Sequence, residues 1–221
     1  IGGILFGSCG FDPHSSDKLV DGEKSSFYYV STDNTIIYKY KQSITGIPLG
    51  WSRTKLDADA ESFVVLSERY AKDKNSAFYQ KNKFQADTKS FAYVNRNYCK
   101  DKSSVYYAGR KITNADASTF DIRDGYARDK NSVFLDRTTS GDDSILETIQ
   151  DADPATYIKL SSKWSKDDFH YFFYNEKTDI DVNTFRMLTD NAILDKESIY
   201  YFAGKPSYGH GRSKKYEGEV R

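Results

Sequence analysis

Short aromatic-rich apolar runs alternate along the chain with polar stretches, and the alternation is periodic. Tyr70-Ala71-Lys72 and Ala77-Phe78-Tyr79 flank the polar Asp73-Lys74-Asn75-Ser76, and the same arrangement recurs from Tyr98, Tyr126, Trp164 and Ala192. The aspartates of the five copies, Asp73, Asp101, Asp129, Asp167 and Asp195, are spaced by 28, 28, 38 and 28 residues. A weaker copy opens the series at Asp33-Asn34-Thr35-Ile36-Ile37-Tyr38, 40 residues before Asp73. Two β-prone runs around a polar turn, in which Asp bonds nearby amides and Asn accepts positive φ, predict a hairpin.

A second marker travels with the first: Ala58-Asp59, Ala86-Asp87, Ala115-Asp116, Ala152-Asp153 and Ile180-Asp181, each closed a few residues later by Phe63, Phe91, Phe120, Tyr157 or Phe185. Pro154 directly follows Asp153, the order of an N-cap and first helical residue, so the marker predicts one turn of helix. The aromatic that closes it opens a third short strand, as in Phe63-Val64-Val65-Leu66. One such unit cannot bury both faces of Val105-Tyr106-Tyr107 alone, so neighbours must stack and share a core. The predicted fold is mainly β, an open, solenoid-like array of short β-hairpins each followed by a one-turn helix. The period is short for four-stranded propeller blades.

Asp73-Lys74-Asn75-Ser76-Ala77-Phe78-Tyr79 and Asp101-Lys102-Ser103-Ser104-Val105-Tyr106-Tyr107 resemble the DKNYY family, bacterial proteins defined by repeats of this kind. The resemblance runs from about Tyr70 to Lys205. The family has no assigned activity, substrate or catalytic residue, so the resemblance implies architecture and no site. Asp168-Phe169 and Lys196-Glu197 stand where other copies have Lys-Asn or Lys-Ser, which argues against one fixed ligand role for the turn.

Composition narrows the function classes. The 221 residues carry 32 basic and 32 acidic side chains, a formal charge of zero, whereas nucleic-acid binders show a basic excess or stripe. The 18 Tyr and 14 Phe fall mostly at repeat positions, as a stacked core requires. At the N-terminus, Gly7-Ser8-Cys9 resembles the end of a bacterial lipoprotein signal, with residues 1–9 as its close and Cys9 as the lipid site. Residues 10–24 would then be a polar tether, 25–206 the array without an internal boundary, and 207–221 a flexible tail. The implied place is the bacterial cell envelope, or the cytoplasm if Cys9 is not modified.

Two copies carry insertions at the same place in the repeat. Tyr38 to Phe63 is 25 residues where Tyr107 to Phe120 is 13, which puts an extra segment between Lys39 and Lys55; Asp136 to Thr148 is the second. Loops set on a repeat scaffold often bind. Ile44, Ile47, Leu49 and Trp51 in the first need something to cover them and form the candidate binding surface. Cys99 takes the place of Ala71 and Ala127 and reads as a small buried side chain. His14, His170 and His210 show no metal-ligand spacing, and the Asp73-Asn75 turn lacks the later carboxylates and glycine of a calcium loop. No catalytic motif is present, and no cofactor, metal or catalytic residue is expected. The Lys72-Asp73 and Arg128-Asp129 pairs read as solvated charged rows. The expected function is a non-catalytic binding or scaffold module contacting a protein partner; the alternative is glycan or cell-wall binding through outward-facing repeat rings such as Tyr79, Tyr107 and Tyr201.

Overall fold

The computed structural model describes residues 16–44, 46–95, 97–137, 145–196, 199–201 and 214–216. Among them the regular elements are all strands, arranged as four-stranded antiparallel meanders in which strand order follows chain order. None of the six sheets closes on itself. The chain divides into two compact units, Ile1–Ile112 and Thr113–Arg221.

In the first unit, β1 (Lys18–Leu19), β2 (Tyr28–Val30), β3 (Ile36–Ile44) and β4 (Ile47–Lys55) form one sheet. The next contains β5 (Val64–Val65), β6 (Tyr70–Lys72), β7 (Ala77–Tyr79) and β8 (Asn82–Phe84), and the third β9 (Ala92–Asn95), β10 (Tyr98–Lys100), β11 (Val105–Tyr107) and β12 (Arg110–Lys111). In the second unit the sheets are β13 (Asp121–Arg123), β14 (Tyr126–Arg128), β15 (Val133–Arg137) and β16 (Ile145–Thr148); β17 (Ile158–Lys159), β18 (Trp164–Lys166), β19 (Tyr171–Phe173) and β20 (Glu176–Lys177); and β21 (Arg186–Thr189), β22 (Ala192–Leu194), β23 (Ile199–Tyr201) and β24 (Lys214–Tyr216). β1 comes from the stretch read as a tether and β24 from the stretch read as a tail.

The predicted hairpins are β6–β7 and its equivalents, with Tyr70 opposite Tyr79 and Lys72 opposite Ala77. The predicted third strand exists but opens its sheet, since Val64 pairs with Lys72. The fourth strand is an edge strand, short and polar where the repeat has no insertion, as in Arg110–Lys111 and Glu176–Lys177. Four strands fit the 28-residue period because most have only two or three residues.

The one-turn helices are not there: no helix occurs among the described residues. Asp59 does cap a turn, its Oδ1 accepting the Ser62 amide at 3.0 Å and hydroxyl at 2.7 Å. Starting a helix fixes several residues for one hydrogen bond, and the chain instead drives Phe63, Phe91, Phe120 and Tyr157 into the core.

The capped turn and the hairpin turn are halves of one clasp. Asp73 Oδ1 accepts the Asn75 and Ser76 amides, both at 2.7 Å, and Oδ2 accepts the Asp59 amide at 2.8 Å. The Lys74 amide returns to Ser62 Oγ at 3.0 Å, and its ammonium meets Asp59 Oδ2 at 2.6 Å. The amide link repeats between Asp101 and Asp87, Asp129 and Asp116, Asp167 and Asp153, and Asp195 and Asp181; the ion pair repeats in all of these but the Asp167 copy, where Asp168 replaces the lysine. All five turn aspartates are buried, and three backbone amides bond each of Asp73, Asp101, Asp129 and Asp167. In the first sheet Ser31, rather than Asp33, takes this place: its hydroxyl donates to the Thr35 carbonyl and accepts the Thr35 amide.

Each core lies between consecutive sheets of a unit. Tyr28, Ile36 and Tyr38 pack with Phe63, Val65 and Phe78; Tyr70 and Ala77 with Phe91, Cys99 and Tyr106. In the second unit Val133 packs with Tyr157 and Phe172, and Trp164 and Phe173 with Ile193. A ring at the start of the second strand ties one sheet to the next. Tyr28 Oη donates to the Arg69 carbonyl at 2.7 Å, Tyr70 Oη to the Asn97 carbonyl at 2.6 Å, and Trp164 Nε1 to the Asp190 carbonyl at 3.1 Å. The cations expected in solvated rows also bridge sheets. Lys72 Nζ donates to the Thr88 and Phe91 carbonyls at 2.7 and 2.9 Å, and buried Arg128 to the Pro154 carbonyl at 2.9 Å. Carbonyls that no helix satisfies are thereby paired.

Candidate functional site

The first predicted insertion is the outer part of the β3–β4 hairpin. β2 pairs with β3 only from Ile36 to Tyr38, and the Lys39 amide makes the last bond to that side, at Phe27. From Tyr40 outward β3 has only β4 beside it, so the hairpin continues as a two-stranded ribbon. At roughly 3.4 Å per residue, its tip lies on the order of 14 Å past the sheet. Gly46 turns the chain with φ +85°, and an irregularity opposite Gln42 and Ser43, where Gly50 has φ +108°, leaves Leu49 without a cross-strand partner. Such a bulge bends and twists an edge strand.

Ile47 and Leu49 are 65% and 56% exposed. Trp51 is half-buried opposite Lys41, and the Lys41 ammonium lies 5.3 Å from its ring centre. Ile44 ends β3, and its side chain lies outside the described residues. Three of the four predicted surface residues are thus placed on one ribbon, with Ile47 and Leu49 at the tip and Trp51 nearer the base.

The base holds a cluster that sequence reasoning missed. Lys39, 1% exposed, places its ammonium 3.4 Å from Asp17 Oδ2, 4.6 Å from the Tyr29 ring centre and 5.9 Å from that of Trp51. Arg53 Nε lies 3.1 Å from the same carboxylate oxygen. Burial opposes the charge on Asp17, but hydrogen bonds and attraction from Arg53 and Lys39 outweigh it and hold the carboxyl below its ordinary range. The available signal was the run from Ile36 to Leu56, which contains Lys39, Lys41, Arg53 and Lys55 and no acidic residue. The cluster fixes the ribbon to β1 and leaves its two cations with a shared counter-ion, an arrangement suited to rigidity.

The remaining candidates are dispersed. The second insertion lies at the equivalent place, between β15 and β16, and residues 138–144 fall outside the described residues. Cys99 is a buried free thiol opposite Tyr106, and burial pushes its pKa well up. His170 lies in the β18–β19 turn, its Nδ1 3.5 Å from Asp167. Cys9, His14 and His210 fall outside the described residues, and no group of three metal-ligating side chains occurs among those described. Of the rings that glycan binding would need outside, Tyr107 is buried and Tyr79 half-buried; the Tyr201 side chain is outside the described residues.

The family model of the DKNYY family matches residues 12–138. The chain belongs to the DKNYY family. The match takes in the β3–β4 hairpin and the first three clasps, at Asp73, Asp101 and Asp129. The clasps at Asp167 and Asp195 carry the DKNYY architecture past its end. No curated protein and no solved structure matches the chain.

Proposed function

We propose that this DKNYY protein is a non-catalytic binding or scaffold module of the bacterial cell envelope, held there through lipid on Cys9, and that the β3–β4 ribbon is where it meets a protein partner. The ribbon carries the proposal. It leaves the sheet stacking, adds nothing to the shared cores at its tip, and is braced at its base by Asp17, Lys39 and Arg53. A solenoid-like continuation of the sheet stacking would give that ribbon a stiff mount. A non-catalytic role is supported by the buried turn aspartates, which backbone amides bond. Protein contact is favoured over glycan stacking because the repeat rings point into the cores.

The test replaces residues 41–52 by a two-residue turn in the full chain. Capture of a protein partner by the immobilised chain from envelope extract should be lost while the far-ultraviolet circular dichroism of the sheets is kept. Unchanged capture would move the contact elsewhere. An intact-mass measurement on membrane fractions tests the lipid on Cys9.

A further inference from the structure

We infer that the tip of the β3–β4 ribbon enters an anionic lipid surface, with Ile47 and Leu49 below the headgroups and Trp51 among them. The inference rests on the ribbon's being the contact surface, and assigns its tip to lipid while its stem remains open to protein.

Three observations point this way. A tight turn is best served by polar residues and glycine, and Gly46 with its positive φ supplies one, yet the strand that follows carries Ile47 and Leu49, far from any core they could fill. Ile47 is the most exposed large apolar side chain among the described residues. Second, the run from Ile36 to Leu56 holds four cations and no acid; Asp17 offsets one of them at the base, which leaves the ribbon basic in a chain of zero net charge, with Lys41 exposed beside its tip, and basic residues beside an apolar element are what an anionic bilayer attracts. Third, Trp51 and Lys41 are directly paired between tip and base, where an indole belongs when apolar residues ahead of it are in the acyl region.

The competing occupant, a strand added to the edge of β4, is disfavoured by the same segment. Pro48 has no amide to donate, and the bulge at Leu49 breaks the ladder. An apolar tip that cannot extend a sheet suits a partner that asks for no backbone hydrogen bonds.

The experiment uses the full chain with vesicles of phosphatidylglycerol mixed equally with phosphatidylcholine, and of phosphatidylcholine alone, reading co-sedimentation and tryptophan emission. Trp164 is buried and supplies a constant signal, so any shift reports Trp51. The wild type should partition onto the anionic vesicles with a blue shift, and only weakly onto neutral ones. Ile47→Ser with Leu49→Ser should lower the partition coefficient about 100-fold, at roughly tenfold per side chain withdrawn from an apolar phase. Lys41→Gln should lower it about fivefold, on anionic vesicles alone. Both variants change exposed side chains and should keep the wild-type dichroism. No partition onto anionic vesicles, partition that survives the double substitution, or a lipid-free dimer that the double substitution abolishes would overturn the inference. If vesicles are ignored while removal of residues 41–52 still abolishes protein capture, the lipid assignment falls and the binding module stands.

Discussion

Removing the carboxylate of Asp101 should unfold the sheet around it at much lower denaturant. Its Oδ1 accepts the Ser103 and Ser104 amides at 2.9 and 2.8 Å, and its Oδ2 accepts the Asp87 amide at 3.0 Å and the Tyr106 hydroxyl at 2.8 Å. Asp101→Ala strands three backbone donors at a site only 5% exposed. At about 1 to 1.5 kcal/mol per stranded donor, the loss is about 3 to 5 kcal/mol, a large share of the roughly 5 to 15 that hold a domain together. With a urea slope near 2 kcal/mol/M, the midpoint should fall by about 2 M. Asp101→Asn keeps the Oδ1 acceptor and should lose about half as much. Lys102→Ala, which removes an exposed partner of Asp87, should leave the midpoint at the wild-type value. Amide exchange adds a local readout, since Asp87, Ser103 and Ser104 should lose protection together. The carboxyl also predicts a pH dependence. Burial raises its pKa, but the amides of Asp87, Ser103 and Ser104 and the Tyr106 hydroxyl outweigh that and hold it below the ordinary value. The unfolded chain therefore binds more protons as pH falls below about 4. Stability is complete above that value and is lost as pH drops through the lower folded pKa, and Asp101→Asn should flatten this acid limb. A midpoint for Asp101→Ala equal to that of Lys102→Ala would refute the clasp as a source of stability.

Gly109 has φ +77°, and a Cβ there would meet the Tyr79 Cβ at 2.8 Å. Gly109→Ala should cost about 2 kcal/mol in urea unfolding, and a wild-type midpoint would show that the two sheets can part at no cost. Cys99 is fully buried and its thiol is pushed up by that burial, so an aromatic disulfide reagent at neutral pH should leave it untouched until urea opens the sheet; stoichiometric reaction of the folded protein would contradict the packing.

Much of the architecture was legible because it is periodic. The aromatic hairpins, the stacking and the small-residue slot filled by Cys99 all follow from side-chain type at fixed spacing. The clasp was visible only as two markers in step. The two aspartates stand 14 residues apart in four copies and 13 in the copy of Asp116 and Asp129, yet residue type alone does not say that one receives the other's amide. An aspartate that caps a turn looks the same whether helix or strand follows, so the helix expectation failed where Phe63 enters the core instead. The edge strands were hidden because Asn82–Phe84 and Arg110–Lys111 show no alternation of apolar and polar residues; Phe84 is the one core-packing side chain of the two. Ser31 was missed because Asp33 imitates the motif two residues later. At the ribbon, exposed Ile47 and Leu49 could be anticipated from an apolar insertion. Of the cluster at its base, the acid-free run marks Lys39 and Arg53, but their joint partner Asp17 comes from the flank of another strand at no repeating spacing.

The forward reach of the Tyr28 and Tyr70 hydroxyls has a genetic consequence. Each finds a carbonyl just ahead of the following sheet's second strand, Arg69 in one case and Asn97 in the other, and these two acceptors are 28 residues apart. Loss or duplication of one whole period inside the first unit would present every hydroxyl with an equivalent carbonyl. Copy number can therefore drift between descendants of one ancestor without any junction being redesigned.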